Sequence, residues 1–127
     1  MKRTLAAIVL GMLFFTGLAN AMNVDTFAAR WTGTEEVKIR TASYVGGIGE
    51  GFMWANAYLK LQGAKPLYCI PDDINMAEKE YMDALLKTVK EKIRITDRGD
   101  AKAMKELDES QVGVMLLFSL QAEYPCK

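Results

Sequence analysis

The clearest hydrophobic period in the chain lies between residues 76 and 93. Four apolar side chains recur there at every fourth position: Tyr81, Leu85, Val89 and Ile93. This spacing places them on one face of an α-helix and leaves the charged residues between them on the other. Asn75 and Glu78 match a capping box, in which each side chain accepts a hydrogen bond from the other residue's backbone N–H. We therefore predict an amphipathic helix over residues 76–93.

Two further helices are predicted towards the C-terminus. The stretch ITDRGD, residues 95–100, is typical of a turn, and residues 101–110 are typical of a short helix with Met104 and Leu107 turned inward. Residues 112–120 are apolar on nearly every side, which favours a central buried helix because the run is too short to span a membrane. A buried strand is the alternative, but the length and the polar ends of the run favour a helix.

The first half of the chain shows no two-residue alternation. Residues 25–31 predict a helical turn with Asp25 as its cap, and a second helix is predicted from about Glu35 to Gly63. Small residues recur every four positions within it: Ser43, Gly47, Gly51 and Ala55. Such a ridge lets another helix approach closely, with Trp54 and Tyr58 supplying bulk beside it. Alternatively, the glycines mark the first turn of the helix; both interpretations give them a structural role.

The glycine-rich run YVGGIGEGF, residues 44–52, does not match a phosphate-binding loop. Phe52 stands where a dinucleotide fingerprint needs its third glycine, and it also follows Gly51 where a Walker loop needs lysine. No basic residue lies between Arg40 and Lys60 to meet a phosphate. We therefore exclude a phosphate loop here.

The first 21 residues are typical of a cleaved export signal. Lys2 and Arg3 precede an apolar run from Leu5 to Phe15, and Ala19-Asn20-Ala21 provides the small residues that signal peptidase accepts. A membrane anchor is the alternative, but the apolar run is short for a span. We expect a periplasmic protein whose single domain comprises residues 22–127.

Charge and cysteine content narrow the function. Lys2 and Arg3 are removed with the signal, which leaves 14 of the 16 basic residues and all 16 acidic residues. The net charge of the mature chain is therefore −2. Such a surface has no reason to bind nucleic acid or, after cleavage of the signal, anionic membranes. Cys69 and Cys126 are the only cysteines, and in an exported protein they predict one disulfide. Free thiols or a catalytic cysteine are the alternative, but the chain has no histidine to activate a thiol.

No constellation of catalytic or metal-binding residues is evident. The absence of histidine excludes histidine-based triads and metal sites. Residues 97–109 have the length of a calcium loop, but Gly99 and Ala101 stand at ligand positions. Asp72 and Asp73 are adjacent, yet the stretch PDDIN is typical of a turn before a helix N-terminus, where acidic residues are favourable. We expect a non-enzymatic all-α bundle of about four to five helices, tied by one disulfide, without cofactor or metal.

A set of short motifs resembles the Rap/Tai family of immunity proteins. The set comprises YVGGIGEGF with Tyr44, Gly47 and Gly51; Cys69-Ile70-Pro71 within YCIPDDI; and Tyr124-Pro125-Cys126 after an apolar helix. The resemblance covers about residues 40–126. Many relatives carry another cysteine just before the Tyr-x-x-Gly stretch, whereas residues 40–42 here contain none.

The resemblance implies a small periplasmic all-α protein that protects bacteria against peptidoglycan-cleaving amidase effectors of the type VI secretion system. It implies inhibition by covering the amidase's substrate cleft, often as a homodimer. The matched residues, including Pro71 and Pro125, would then serve the fold. Our candidates for partner contact are charged loop residues: Asp72, Asp73, Asp97, Arg98 and Asp100.

Two other functions compete with this expectation. A small periplasmic chaperone or stress protein would also combine a helical bundle with one disulfide, and it would lose structure at low pH while holding unrelated clients. A small enzyme or inhibitor acting on the cell wall directly would itself turn over purified peptidoglycan.

Overall fold

The computed structural model describes residues 21–96 and 100–127. Five helices occupy these ranges: α1 Val24–Trp31, α2 Glu35–Leu61, α3 Glu78–Thr96, α4 Ala101–Glu109 and α5 Val112–Glu123. The described ranges contain no β-strand, only an isolated antiparallel bridge between Asn23 and Gln111. None of these helices is long and apolar enough to cross a membrane. The predicted all-α bundle, with one disulfide, is confirmed.

The chain enters the fold at Met22, whose side chain is buried. The carbonyl of Met22 accepts a hydrogen bond from Val112 N at 2.8 Å, and its N–H donates to the Tyr44 hydroxyl at 3.2 Å. Helix α1 then begins after Asn23, whose side chain accepts from Thr26 N at 2.8 Å. The predicted cap, Asp25, instead lies in the first turn of α1. Asparagine is an equally good cap, and its position two residues earlier lets the segment before it bridge to α5.

Helix α2 is one continuous element of 27 residues that contains the whole glycine run. It ends in a Schellman motif, in which Gly63 N donates to Lys60 O and Ala64 N donates to Leu59 O. Gly63 has a φ of +68°, which a residue with a side chain rarely adopts. The predicted end of this helix at Gly63 is therefore confirmed, while a first turn at Gly47 or Gly51 is not observed because α2 begins at Glu35.

Helix α3 begins two residues later than predicted. The Ala77 N–H donates to the Glu80 carboxylate at 3.0 Å, and the Ala77 carbonyl accepts from Tyr81 N. This is half of a capping box, shifted by two residues from the predicted Asn75–Glu78 pair. Alanine has no side chain that accepts a hydrogen bond, so only the half of the box made by Glu80 is present.

The core lies between α2, α3 and α5, with α1 and α4 closing its ends. Helix α3 packs against both α2 and α5, while α1 packs on α2 and α4. The fully buried apolar side chains of the core come from four helices and from the loop between α2 and α3: Val24, Phe27, Val45, Tyr68, Tyr81, Leu85, Val112, Leu116 and Leu120. The predicted inward position of Leu107 in α4 is confirmed.

Helix α5 is not buried on all sides. Val112, Met115, Leu116 and Leu120 face the core, whereas Phe118 is 54% exposed and Val114 is also exposed. The prediction of a central helix was correct as to secondary structure and wrong as to burial. The bundle is small, so even its most apolar helix has one side that no other described element covers.

Candidate functional site at the disulfide junction

The predicted disulfide between Cys69 and Cys126 is present, with the two Cα atoms 4.9 Å apart. It joins the loop between α2 and α3 to the segment after α5. The Cys69 N–H donates to the Tyr124 carbonyl at 2.8 Å, and the Gln121 amide donates to the Leu67 carbonyl at 3.2 Å. We call residues 66–75 and 121–127, held together by these bonds, the disulfide junction.

Helix α2 reaches this junction through Asn56. The Asn56 side chain is buried and makes two hydrogen bonds to the loop: its oxygen accepts from Leu67 N at 2.7 Å, and its nitrogen donates to Tyr68 O at 3.0 Å. A buried amide that satisfies two backbone groups fixes the loop in one conformation. The sequence reading missed Asn56, because a lone asparagine in an apolar helix carries no motif.

Two tyrosines pack beneath the junction, Tyr68 from the loop and Tyr81 from α3. Both are almost completely buried, and neither hydroxyl has a hydrogen-bond partner among the described residues. Burial raises the pKa of Tyr68 to about 12, and the neighbouring Tyr81 adds to the rise. Burial also raises the pKa of Tyr81, assisted by the negative charge of Glu50. Both side chains are therefore neutral at physiological pH and act as core residues.

The glycines that allow close packing are not the predicted ones. A Cβ atom at Gly49 would overlap the ring of Tyr81, and one at Gly46 would lie 3.2 Å from the Glu78 side chain. At Gly47 and Gly51 nothing lies within 4 Å of such an atom. The prediction of a close helix contact along Gly47 and Gly51 is therefore wrong, because no described helix lies against these two positions. In the same series only Ser43 has a hydrogen bond to α3, donating to the Glu78 carboxylate at 3.1 Å. The same run contains Gly46 and Gly49, which are three residues apart. This spacing was the sequence signal that could have predicted the contact with α3.

The other matched residues take different positions. The Tyr44 hydroxyl holds the backbone at Met22, as described above. Pro71 and Pro125 lie on the two sides of the disulfide, where a shallow cavity of about 480 Å³ opens between Pro71, Tyr124 and Lys127. Pro71 also begins a turn, since its carbonyl accepts from Ile74 N at 3.1 Å.

Asp72 and Asp73 lie exposed in this turn, beside the partly exposed Ile74. Helix α3 begins only at Glu78, so neither carboxylate is in the first turn of that helix, and the expected helix-dipole role is not observed. Within the described ranges neither carboxylate takes part in an ion pair. Two free carboxylates therefore project from a loop whose base is fixed by the disulfide.

The structure separates Asp100, another candidate contact residue, from this pair. Asp100 caps α4, where its side chain accepts from Lys102 N and Ala103 N, while Asp97 and Arg98 lie outside the described residues. The two candidate loops lie at opposite ends of α3, whose 19 residues span about 27 Å. Asp100 is therefore not in the same surface patch as Asp72 and Asp73.

The chemistry of the junction is that of a binding surface. It offers free carboxylates, a partly exposed isoleucine and a cavity lined by prolines and a tyrosine. Among residues 21–96 and 100–127, no group of three or more acidic or cysteine side chains is arranged to hold a metal ion.

Comparisons of the chain with protein-family models, with curated proteins and with solved structures found no match.

Proposed function

We propose that this protein is a periplasmic immunity protein, which binds a peptidoglycan amidase effector of a type VI secretion system and inhibits it by covering the substrate cleft. One observation carries the proposal. Two of the three stretches that resemble the Rap/Tai family meet at the disulfide junction, where the disulfide ties the Cys-Ile-Pro loop to Tyr-Pro-Cys. Asn56, four residues after the glycine-bearing stretch on the same helix, holds that loop through two hydrogen bonds. Motifs that are separate in sequence thus serve one structural unit.

Two features support the periplasmic part of the proposal. The disulfide is of a kind that persists in oxidising compartments. Met22, the first residue after the predicted cleavage site, is already part of the core. Removal of residues 1–21 would therefore leave every described helix intact.

The loop at residues 71–75 is the surface that we propose to enter the amidase cleft. It projects from the disulfide junction and carries Asp72, Asp73 and Ile74 in exposed or partly exposed positions. A loop that is already fixed loses little conformational entropy on binding. The two carboxylates would attract a positively charged rim and speed the encounter. The loop before α4 is the weaker candidate, since Asp100 is occupied as a cap.

In this proposal the protein acts by binding alone. The chain has no histidine, and we assign no catalytic step to its carboxylates. Cofactor and metal have no part in the mechanism.

The proposal is tested by capture followed by an inhibition assay. The protein is exported, purified from the periplasm with its disulfide formed, and used to capture partners from a lysate of the source organism. Any captured amidase is then assayed on purified peptidoglycan with increasing amounts of the protein. The expected result is that cleavage stops at stoichiometric amounts. The proposal is contradicted if no amidase is inhibited, if acid exposure yields many unrelated clients, as for a chaperone, or if the protein alone cleaves peptidoglycan.

A pair of charge-reversal variants tests the contact loop. Asp72→Lys with Asp73→Lys should weaken inhibition by about tenfold or more, because a repelled charge at the centre of an interface is costly. The control is Glu35→Lys with Glu36→Lys, another adjacent acidic pair, which lies about 30 Å along α2 from Asn56. Equal loss in both variants would show that overall charge, rather than this loop, determines inhibition.

A further inference from the structure

The C-terminal end of α2 extends beyond the core of the bundle. Asn56 is the last buried residue of this helix. After it, every residue from Ala57 to Lys65 is exposed except Leu59, which is half-buried. We call residues 54–65 the α2 tip. It comprises the end of the helix and the Schellman motif that follows.

Three large apolar side chains of the α2 tip face solvent. They belong to Trp54, Tyr58 and Leu61, which are 70%, 62% and 83% exposed, respectively. Their spacing of four and three residues places them on one side of the helix. Tryptophan and tyrosine combine an apolar body with a polar group, and both are enriched where proteins meet the interface between membrane and water. The α2 tip therefore has the composition of a helix that contacts a membrane surface.

The charge of the α2 tip is exclusively basic. Between residues 51 and 71 the only charged residues are Lys60 and Lys65. Within the described ranges neither lysine takes part in an ion pair. Each lysine borders a small surface cavity whose other lining residues are all uncharged. The mature net charge of −2 is thus unevenly distributed, and two free cations stand beside the exposed apolar side chains.

We propose that the α2 tip docks on the surface of a lipid bilayer that contains anionic phospholipids. Trp54, Tyr58 and Leu61 enter the boundary between headgroups and acyl chains, while Lys60 and Lys65 place their ammonium groups against lipid phosphates. No described helix is long and apolar enough to cross a membrane, so the contact is with the surface. Three apolar side chains and two cations give a reversible association rather than a permanent anchor.

The size and form of the α2 tip favour a bilayer over a protein partner. The three large side chains offer roughly 450 Å², against about 800 Å² per partner in a standard protein interface. They also lie on a projecting helix end rather than in a groove. A fluid bilayer closes around such a projection and needs no matching shape, and its phosphates supply the negative charge that two free lysines attract.

A vesicle-binding assay tests the proposal and needs no amidase, so its outcome is independent of the proposed inhibition. Trp31→Phe first leaves Trp54 as the only tryptophan, and it keeps a ring at the position stacked on Phe27. Vesicles of phosphatidylethanolamine with about one quarter anionic phosphatidylglycerol are added to protein purified from the periplasm. The expected result is a shift of the Trp54 emission to shorter wavelength, with cosedimentation that weakens at high salt.

Variants of the α2 tip separate the apolar contribution from the electrostatic one. Leu61→Ser should weaken vesicle binding by about tenfold, because an apolar side chain no longer enters the bilayer. Lys60→Gln with Lys65→Gln should weaken binding to anionic vesicles by about tenfold or more, because both attractions to phosphate are lost. All three positions are exposed, so neither variant should change the free energy of unfolding by more than about 0.5 kcal/mol.

Each variant has a matched control elsewhere in the chain. Ile39→Ser removes another exposed apolar side chain near the start of α2, and Lys102→Gln with Lys105→Gln removes the same charge from α4. Both controls should leave vesicle binding unchanged. An unshifted Trp54 emission at high lipid concentration would overturn the proposal. Equal losses in the tip variants and their controls, or binding that the tip variants do not weaken, would also overturn it.

Discussion

Both sides of helix α2 carry glycines, but the surroundings of those glycines differ. On the inner side Gly46 and Gly49 lie against α3, and Asn56 holds the loop at the disulfide junction. On the outer side Gly47 and Gly51 face open space, and Trp54 is largely exposed. The inner side is required for the fold, while the outer side is exposed at these positions.

This difference shows that the role of a glycine depends on the side of the helix on which it lies. Each glycine within a helix lowers helix stability by about 0.5–1 kcal/mol relative to alanine. On the inner side that cost is offset, because a larger residue at position 49 would overlap Tyr81. On the outer side nothing within the described monomer offsets it.

The largest predicted loss of stability comes from the junction that the inner side supports. Replacing Cys69 and Cys126 together by serine should lower the free energy of unfolding by about 4 kcal/mol, because the unfolded chain regains the freedom of a 57-residue loop. Urea unfolding of the variant and the oxidised wild type measures this difference. A loss below about 1 kcal/mol would mean that hydrogen bonds alone hold the junction.

Asn56→Ala should lower the free energy of unfolding by about 2 kcal/mol. The change leaves the Leu67 N–H and the Tyr68 carbonyl without their partner, and an unsatisfied buried group is penalised more than a hydrogen bond gains. Gln62→Ala, at the exposed end of the same helix, is the control and should change the unfolding free energy little. If both variants behave alike, Asn56 does not couple α2 to the junction.

Alkaline pH should selectively weaken the inner side. The pKa of Tyr68 is raised in the fold to about 12 from its usual 10.0, so its contribution is complete below pH 10 and is lost as the pH rises to about 12. The loss is of the order of 2 kcal/mol. Tyr68→Phe should flatten the fall in unfolding free energy above pH 10. A fall of the same size in this variant and in the wild type would contradict the burial of the Tyr68 hydroxyl.

The smallest effect on monomer stability is expected on the outer side. Trp54→Ala, measured at high dilution, should change the unfolding free energy by no more than about 0.5 kcal/mol, as for most surface substitutions. Thermal unfolding at low protein concentration provides the measurement. A loss of about 2 kcal/mol or more would show that Trp54 belongs to the core.

Much of this fold follows from local sequence signals. The four-residue apolar period predicted α3, Gly63 marked the end of α2, and two cysteines in a chain expected to be exported predicted their disulfide. The apolar period and the glycine act between residues that are close in sequence, and two cysteines allow only one intramolecular pairing. The start of α3 was misplaced because Asn75 resembles a cap, whereas the backbone uses Glu80 at Ala77.

The candidate site was less predictable because it depends on which parts of the chain meet. The sequence showed that Asp72, Asp73 and Asp100 are in loops, but not that α3 separates them. It showed four-residue spacing along α2, but not which ridge faces α3. Trp54 and Tyr58 were expected to flank a packed ridge, and the structure shows them exposed. Such directions are set by tertiary packing, which helical period alone does not reveal.

The most direct test of the difference between the two sides of α2 is to replace glycine by alanine once on each side. Gly49→Ala and Gly51→Ala, two residues apart in α2, are compared by urea unfolding of dilute protein. The account predicts that Gly49→Ala lowers the unfolding free energy by about 2 kcal/mol, because the methyl group meets the Tyr81 ring. It predicts that Gly51→Ala raises it by about 0.5–1 kcal/mol through helix propensity. Equal changes of the same sign in the two variants would contradict the account.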